Sequence, residues 1–241
     1  MKWQKQDNVW QIQIPNIEMQ ANDFLINGVG KVTLSKPQPQ VSMVLKTHFD
    51  DLHTFKHFLP LKIFHEHLRT WLKNALVSGE NIDSQIVFNG SLQQFPFAEQ
   101  QGIFSAITQF HNLSLNFNPQ WPTLNHLNGT LTFNGLKMNI QTNNGEINSG
   151  KIETLEGIIP DLSSDDPKLF IQGTLVGTLE GASQFIAATP LENTIGSSLK
   201  PMNISGPMTL NLQLQVPLGP KDDNTLVSGK IKTDAGQLSL N

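Results

Sequence analysis

Between Met208 and Val216 the chain repeats with a period of two. Met208, Leu210, Leu212, Leu214 and Val216 alternate with Thr209, Asn211, Gln213 and Gln215. An extended strand sends successive side chains to opposite faces, so this segment has one aliphatic face and one amide and hydroxyl face. The same alternation runs through Trp10, Ile12 and Ile14, through Leu113, Leu115 and Phe117, through Leu131 and Phe133, and through Leu169, Ile171 and Leu175 with Gly173 and Gly177 between. A chain patterned in this way is committed to mainly β structure, with a sheet buried on one face. Its polar face is unusually rich in amides, since 22 Asn and 20 Gln outnumber the 36 charged residues in the 241.

Composition removes several classes of function. No stretch approaches the roughly 18 to 20 apolar residues of a membrane-spanning helix, and the first residues, Met1-Lys2-Trp3-Gln4-Lys5-Gln6, lack the apolar core of an export signal. Without cysteine there is no disulfide framework, no thiol catalysis and no thiolate-bound zinc. A net charge of −4 without a Lys/Arg cluster offers no footprint for nucleic acid.

Turn residues punctuate the runs at Asn27-Gly28, Asn89-Gly90, Asn128-Gly129, Asn134-Gly135, Asn144-Gly145 and Ser149-Gly150, which predicts about a dozen strands joined mainly as antiparallel hairpins. At Gly135 the apolar parity flips, which requires a turn or a bulge. One window departs from the pattern. From residue 50 to 78 the apolar residues take helical spacing, which predicts a helical insertion of two helices split by Pro60, with Asp50 as N-cap and Gly79 as stop. A third helix is expected around 181–188. These helices can cover only part of the sheet's apolar face. The remainder must fold onto itself as a sandwich or closed barrel, or line a groove for an apolar ligand.

No catalytic or cofactor motif survives inspection. His53 and His57 share a helix face, but the Glu that would make a metalloprotease motif is missing, so solvated histidines are expected there. Gly28-Val29-Gly30-Lys31 lacks the earlier glycine and the following Ser/Thr of a phosphate loop and reads as a hairpin turn. Asp165-Asp166 and Asp222-Asp223 lack the spacing of a calcium loop, and no Gly-x-Ser-x-Gly elbow occurs. Four Asn-x-Ser/Thr sequons, at Asn89, Asn112, Asn128 and Asn203, are about what this composition yields by chance. The expectation is a non-enzymatic protein without metal or cofactor.

Several segments, in order, resemble the central region of the YhdP family, very large AsmA-like proteins of Gram-negative envelopes. They are FLPLKIFHEHLRTWLKNAL from Phe58, IVFNGSLQQFPF from Ile86, NFNPQWPTLNHLNGTLTFNGL from Asn116, IIPDL from Ile158, TPLENTIGSSL from Thr189 and GPMTLNLQLQVPL from Gly206. The resemblance implies a periplasmic segment of a protein anchored in the inner membrane, with a long curled sheet whose apolar groove conducts phospholipid toward the outer membrane. It implies phospholipid as the ligand, adjoining segments of the full-length protein and other envelope proteins as partners, and no catalytic motif. Alternation is already running by Trp10 and persists to Leu240, so the 241 residues are expected to be one continuous piece of a longer β-groove domain.

The fold expectation is therefore an elongated, twisted, mostly antiparallel sheet forming an open groove, with the helical insertion at about 50–78. The candidate groove residues are Ile86, Phe88, Leu131, Phe133, Leu169, Ile171, Leu210, Leu212 and Leu214. Phe64, Leu68, Trp71, Leu72 and Leu76 form the candidate helical plug or gate. The rival reading is an envelope scaffold or protein-interaction module with a closed, lipid-free core.

Overall fold

The structure is a computed structural model. It describes every residue except 7–8, 60, 62–63, 98–100, 194–201, 220–223 and 241. The strands are β1 (Lys2–Gln6), β2 (Val9–Gln20), β3 (Phe24–Leu34), β4 (Gln40–Asp51), β5 (Leu76–Gly90), β6 (Ile103–Leu115), β7 (Leu124–Asn134), β8 (Lys137–Thr142), β9 (Glu146–Ile147), β10 (Gly150–Ile159), β11 (Lys168–Thr178), β12 (Met202–Ser205), β13 (Pro207–Pro217), β14 (Leu226–Lys232) and β15 (Gln237–Leu240). Apart from β12 and β15, which pair with each other, they form one 13-stranded sheet in the order β1 through β8, β10, β11, β13, β14, with short β9 bridging β7 and β10. Every pairing in it is antiparallel. β1 and β14 are the two edges, so the hydrogen-bonded sheet is open rather than a closed barrel.

Register makes the apolar residues continuous across strands. One cross-strand row runs Leu45, Ile86, Ala106, Phe133, Met138. The next runs Ile26, Thr47, Ser84, Thr108, Leu131, Ile140, Gly157, Ile171, Leu214, Val227. Antiparallel partners share a face, so these rows stand side by side on a single face of the sheet.

Two Asn-Gly pairs expected to turn do not. Asn27-Gly28 lies inside β3 and Asn128-Gly129 inside β7, and Gly28-Val29-Gly30-Lys31 is continuous strand rather than a hairpin. At both positions glycine serves a close approach of the neighbouring strand's main chain instead. A Cβ on Gly28 would meet the carbonyl oxygen of Val44 at 2.3 Å, and one on Gly129 would meet that of Gln141 at 2.0 Å. Asn134-Gly135 does turn, with Gly135 at φ +55°, and there the parity flips between β7 and β8. Pro15 sits within β2, at a register shift between Ile14 and Ile17 where no ladder donor is required.

Three α-helices are present among the described residues: α1 (Leu52–Lys56), α2 (Glu66–Ala75) and α3 (Leu179–Ala187). Asp51, not Asp50, caps α1, its carboxylate accepting from the Thr54 amide at 2.8 Å. α2 ends before the expected stop: Leu76 is already extended and Gly79 lies within β5. β-branched Val77 favours strand there, while the Lys56 ammonium donates to the terminal carbonyls of Lys73 and Leu76. Desolvation at this contact pushes the Lys56 ammonium pKa down. Pro60 lies outside the described residues. Thr178 caps α3 through the Gly181 amide at 3.1 Å.

Candidate apolar functional face

α1 and α2 leave the sheet after β4, and α3 follows β11, so all three helices start from the same end of the meander. The C-terminus of α2 is held at that end, where the Asn116 amide donates to the Ala75 carbonyl at 2.8 Å. Its N-terminus faces the other end: His65 Nε2 is 3.8 Å from Asp165 in the β10 to β11 connection. α2 thus runs diagonally over the apolar face, from the helix-bearing end toward the β10 to β11 connection.

The buried side of α2 explains its position. Leu68, Leu72 and Ala75 fall on one stripe, 0%, 6% and 1% exposed, in the same core cluster as Phe49, Ile82, Leu131 and Ile171 of the strands. Of the candidate plug residues, Phe64 and Trp71 pack partly buried against that cluster and Leu76 is buried at the start of β5. Phe117, Trp121 and Phe185 continue the contact to α3, with ring centroids 6.0 and 5.8 Å apart.

The nine candidate groove residues all project from the face that α2 crosses. Their exposure is uneven. Phe88, Leu131, Leu169, Ile171 and Leu214 are buried, whereas Ile86, Phe133, Leu210 and Leu212 are partly exposed. The nine-residue candidate set omits several residues of the same face. Val216 belongs to the alternation already read in β13, Ile140 and Ile159 follow from register, and Thr47, Ser84 and Thr108 are hydroxyls at apolar positions that no alternation marks.

The opposite face is largely polar. Glu156 on β10 accepts from Gln141 at 2.8 Å, Gln172 at 2.7 Å and Asn139 at 3.2 Å, and the Gln141 and Gln172 amides hold its carboxyl below the usual range. His48 bridges Asp83 at 2.9 Å and Asp50 at 3.2 Å, and the Asp83 contact raises its pKa above 6.5. Two apolar patches interrupt this face. One is the row Val29, Val44, Val87; the other is Ile158, Phe170 and Leu226 beside a shallow trough of about 390 Å³.

The asparagines at the helix-bearing end form a ladder. The Asn112 amide donates to the Asn128 side chain at 2.9 Å, and the Asn128 amide to the Asn144 side chain at 2.9 Å. Asn112 and His126 have φ of 48° and 55°, beside register shifts between β6 and β7. Two sequons that composition alone makes unremarkable thus supply structural amides. His53 and His57 are exposed, and no group of three or more potential metal ligands occurs among the described residues. No described helix is long and apolar enough to cross a membrane.

The family model described as YhdP protein matches residues 1–241. Among curated proteins, the intermembrane phospholipid transporter YhdP of Escherichia coli (strain K12) is 23% identical over 241 residues, which is all of this chain and 18% of that protein. The chain thus spans less than a fifth of the relative's length. No solved structure matches it.

Proposed function

The chain belongs to the YhdP family, and we propose that its apolar face forms a groove that carries phospholipid as one segment of a conduit between two membranes. The observation that supports this most is the predominantly apolar cross-strand face that runs from β2 to β14, on a sheet whose edge strands β1 and β14 do not pair with each other. Acyl chains laid on such a wall replace the missing second layer, and each methylene taken from water contributes about 0.8 kcal/mol. Aliphatic side chains make no directional bonds, so a lipid can slide along them. The amide face is then the wet outside. Location in the periplasm, tethering to the inner membrane and a non-enzymatic role belong to the same reading, as do envelope proteins and adjoining chain segments as partners.

A scaffold with a closed, lipid-free core is the second reading. It is favoured by the burial beneath the insertion, where Phe49, Ile82 and Leu127 are 1%, 1% and 0% exposed and covered by the chain's own side chains. One experiment separates the two. The purified chain is incubated with phosphatidylethanolamine and phosphatidylglycerol vesicles, re-isolated and extracted. The conduit reading expects bound lipid, and loss of it in a folded Leu212→Asp variant, whose charge would stand on the partly exposed wall. A lipid-free wild type supports the scaffold.

A further inference from the structure

The apolar face carries a polar stretch three strands wide. On β4, β5 and β6, the row that elsewhere reads Ile26, Leu131, Ile140 and Ile171 reads Thr47, Ser84, Thr108. All three are buried, at 8%, 4% and 4% exposed. Ser84 and Thr108 bond each other at 2.9 Å, whereas Thr47 Oγ1 is buried without a hydrogen-bond partner. A buried hydroxyl without a partner is costly, and valine has the shape of threonine without that cost. Packing alone gives no reason for hydroxyls here.

We propose that Thr47, Ser84 and Thr108 form a docking position for the two ester carbonyls of a diacyl phospholipid, a resting station on an otherwise aliphatic wall. This rests on the lipid-carrying reading of the same face. Three hydroxyls carry three protons, and the Ser84 to Thr108 bond uses one, leaving two donors for two acceptors. The position suits the ligand. On one side the neighbouring row is sealed beneath the helical insertion at Phe49 and Ile82; on the other it is partly exposed at Leu45 and Ile86. Acyl chains lying over the partly exposed rows bring the glycerol esters against the hydroxyls. Leu45 and Ile86, two residues along β4 and β5 from Thr47 and Ser84, are the side chains whose movement uncovers them.

The test compares dioleoyl phosphatidylethanolamine with its dialkyl ether analogue, which has the same chains and headgroup but no ester carbonyls. The two compete for the purified chain, and bound lipid is counted by native mass spectrometry. The wild type should prefer the diester about fivefold or more, the effect of one or two hydrogen bonds. The T47V/S84A/T108V variant should bind both lipids equally. Equal binding of the two by the wild type overturns the docking position alone, as does an unchanged preference in the folded variant. Binding of neither lipid overturns the lipid-carrying reading and this inference with it. If the variant does not fold, the wild-type comparison still decides.

Discussion

The indole Nε1 of Trp71 donates to the main-chain carbonyl of Phe117 at 2.8 Å, tying the helix that crosses the apolar face to the connection between β6 and β7. The bond fixes α2 from its middle, while Asn116 holds its C-terminus. Trp71→Phe retains an aromatic ring and removes the donor. It should cost about 1 kcal/mol in urea unfolding and speed amide exchange in α2 more than in β10 or β11.

His48 bonded to two aspartates gives a pH signature. Its pKa is raised in the folded state, chiefly by the Asp83 hydrogen bond, so its contribution to stability is fully present below the ordinary value of 6.5 and is lost as pH rises through the raised value. The stability difference between wild type and His48→Asn should therefore shrink on titration from pH about 5.5 toward about 8.5. A difference that grows with pH would contradict the assignment.

Glycines on the apolar face are expected to respond unequally to alanine. Gly129→Ala places a Cβ 2.0 Å from the Gln141 carbonyl oxygen and should destabilise by about 3 kcal/mol or prevent folding. Gly177→Ala meets nothing closer than 3.6 Å and should change stability by less than about 1 kcal/mol. Thermal unfolding of the two variants measures the contrast.

The asparagine ladder makes a local prediction. Asn128→Ala removes the acceptor of the Asn112 amide. Exchange at Asn112 should accelerate selectively, with a stability loss of about 1 kcal/mol by denaturant unfolding.

What the sequence revealed follows from which interactions are periodic. Alternation in β13 and β11 marks the apolar face because each strand position reports its own burial, and all nine candidate residues lie on that face. Helical spacing likewise marks α2, since Leu68, Leu72 and Ala75 form one stripe. Non-local effects left no such trace. Gly28 and Gly129 look like turn glycines until Val44 and Gln141 are seen to approach from neighbouring strands. Gly79 looks like a helix stop, yet pairing of Leu76 with Leu115 ends the helix first. Thr47, Ser84 and Thr108 leave no mark within any one strand, because their alignment exists only across three strands.

Adjacent residues of β4 can decide which face of the sheet meets lipid. Met43 and Leu45 stand on the apolar face, whereas Val44 between them is 46% exposed on the other. A photoreactive benzoylphenylalanine is placed at each position in turn, and the protein is irradiated with radiolabelled phosphatidylethanolamine vesicles. Lipid adducts are expected from positions 43 and 45 and none above background from position 44. Equal labelling at all three positions, or labelling at position 44 alone, would contradict the conduit reading.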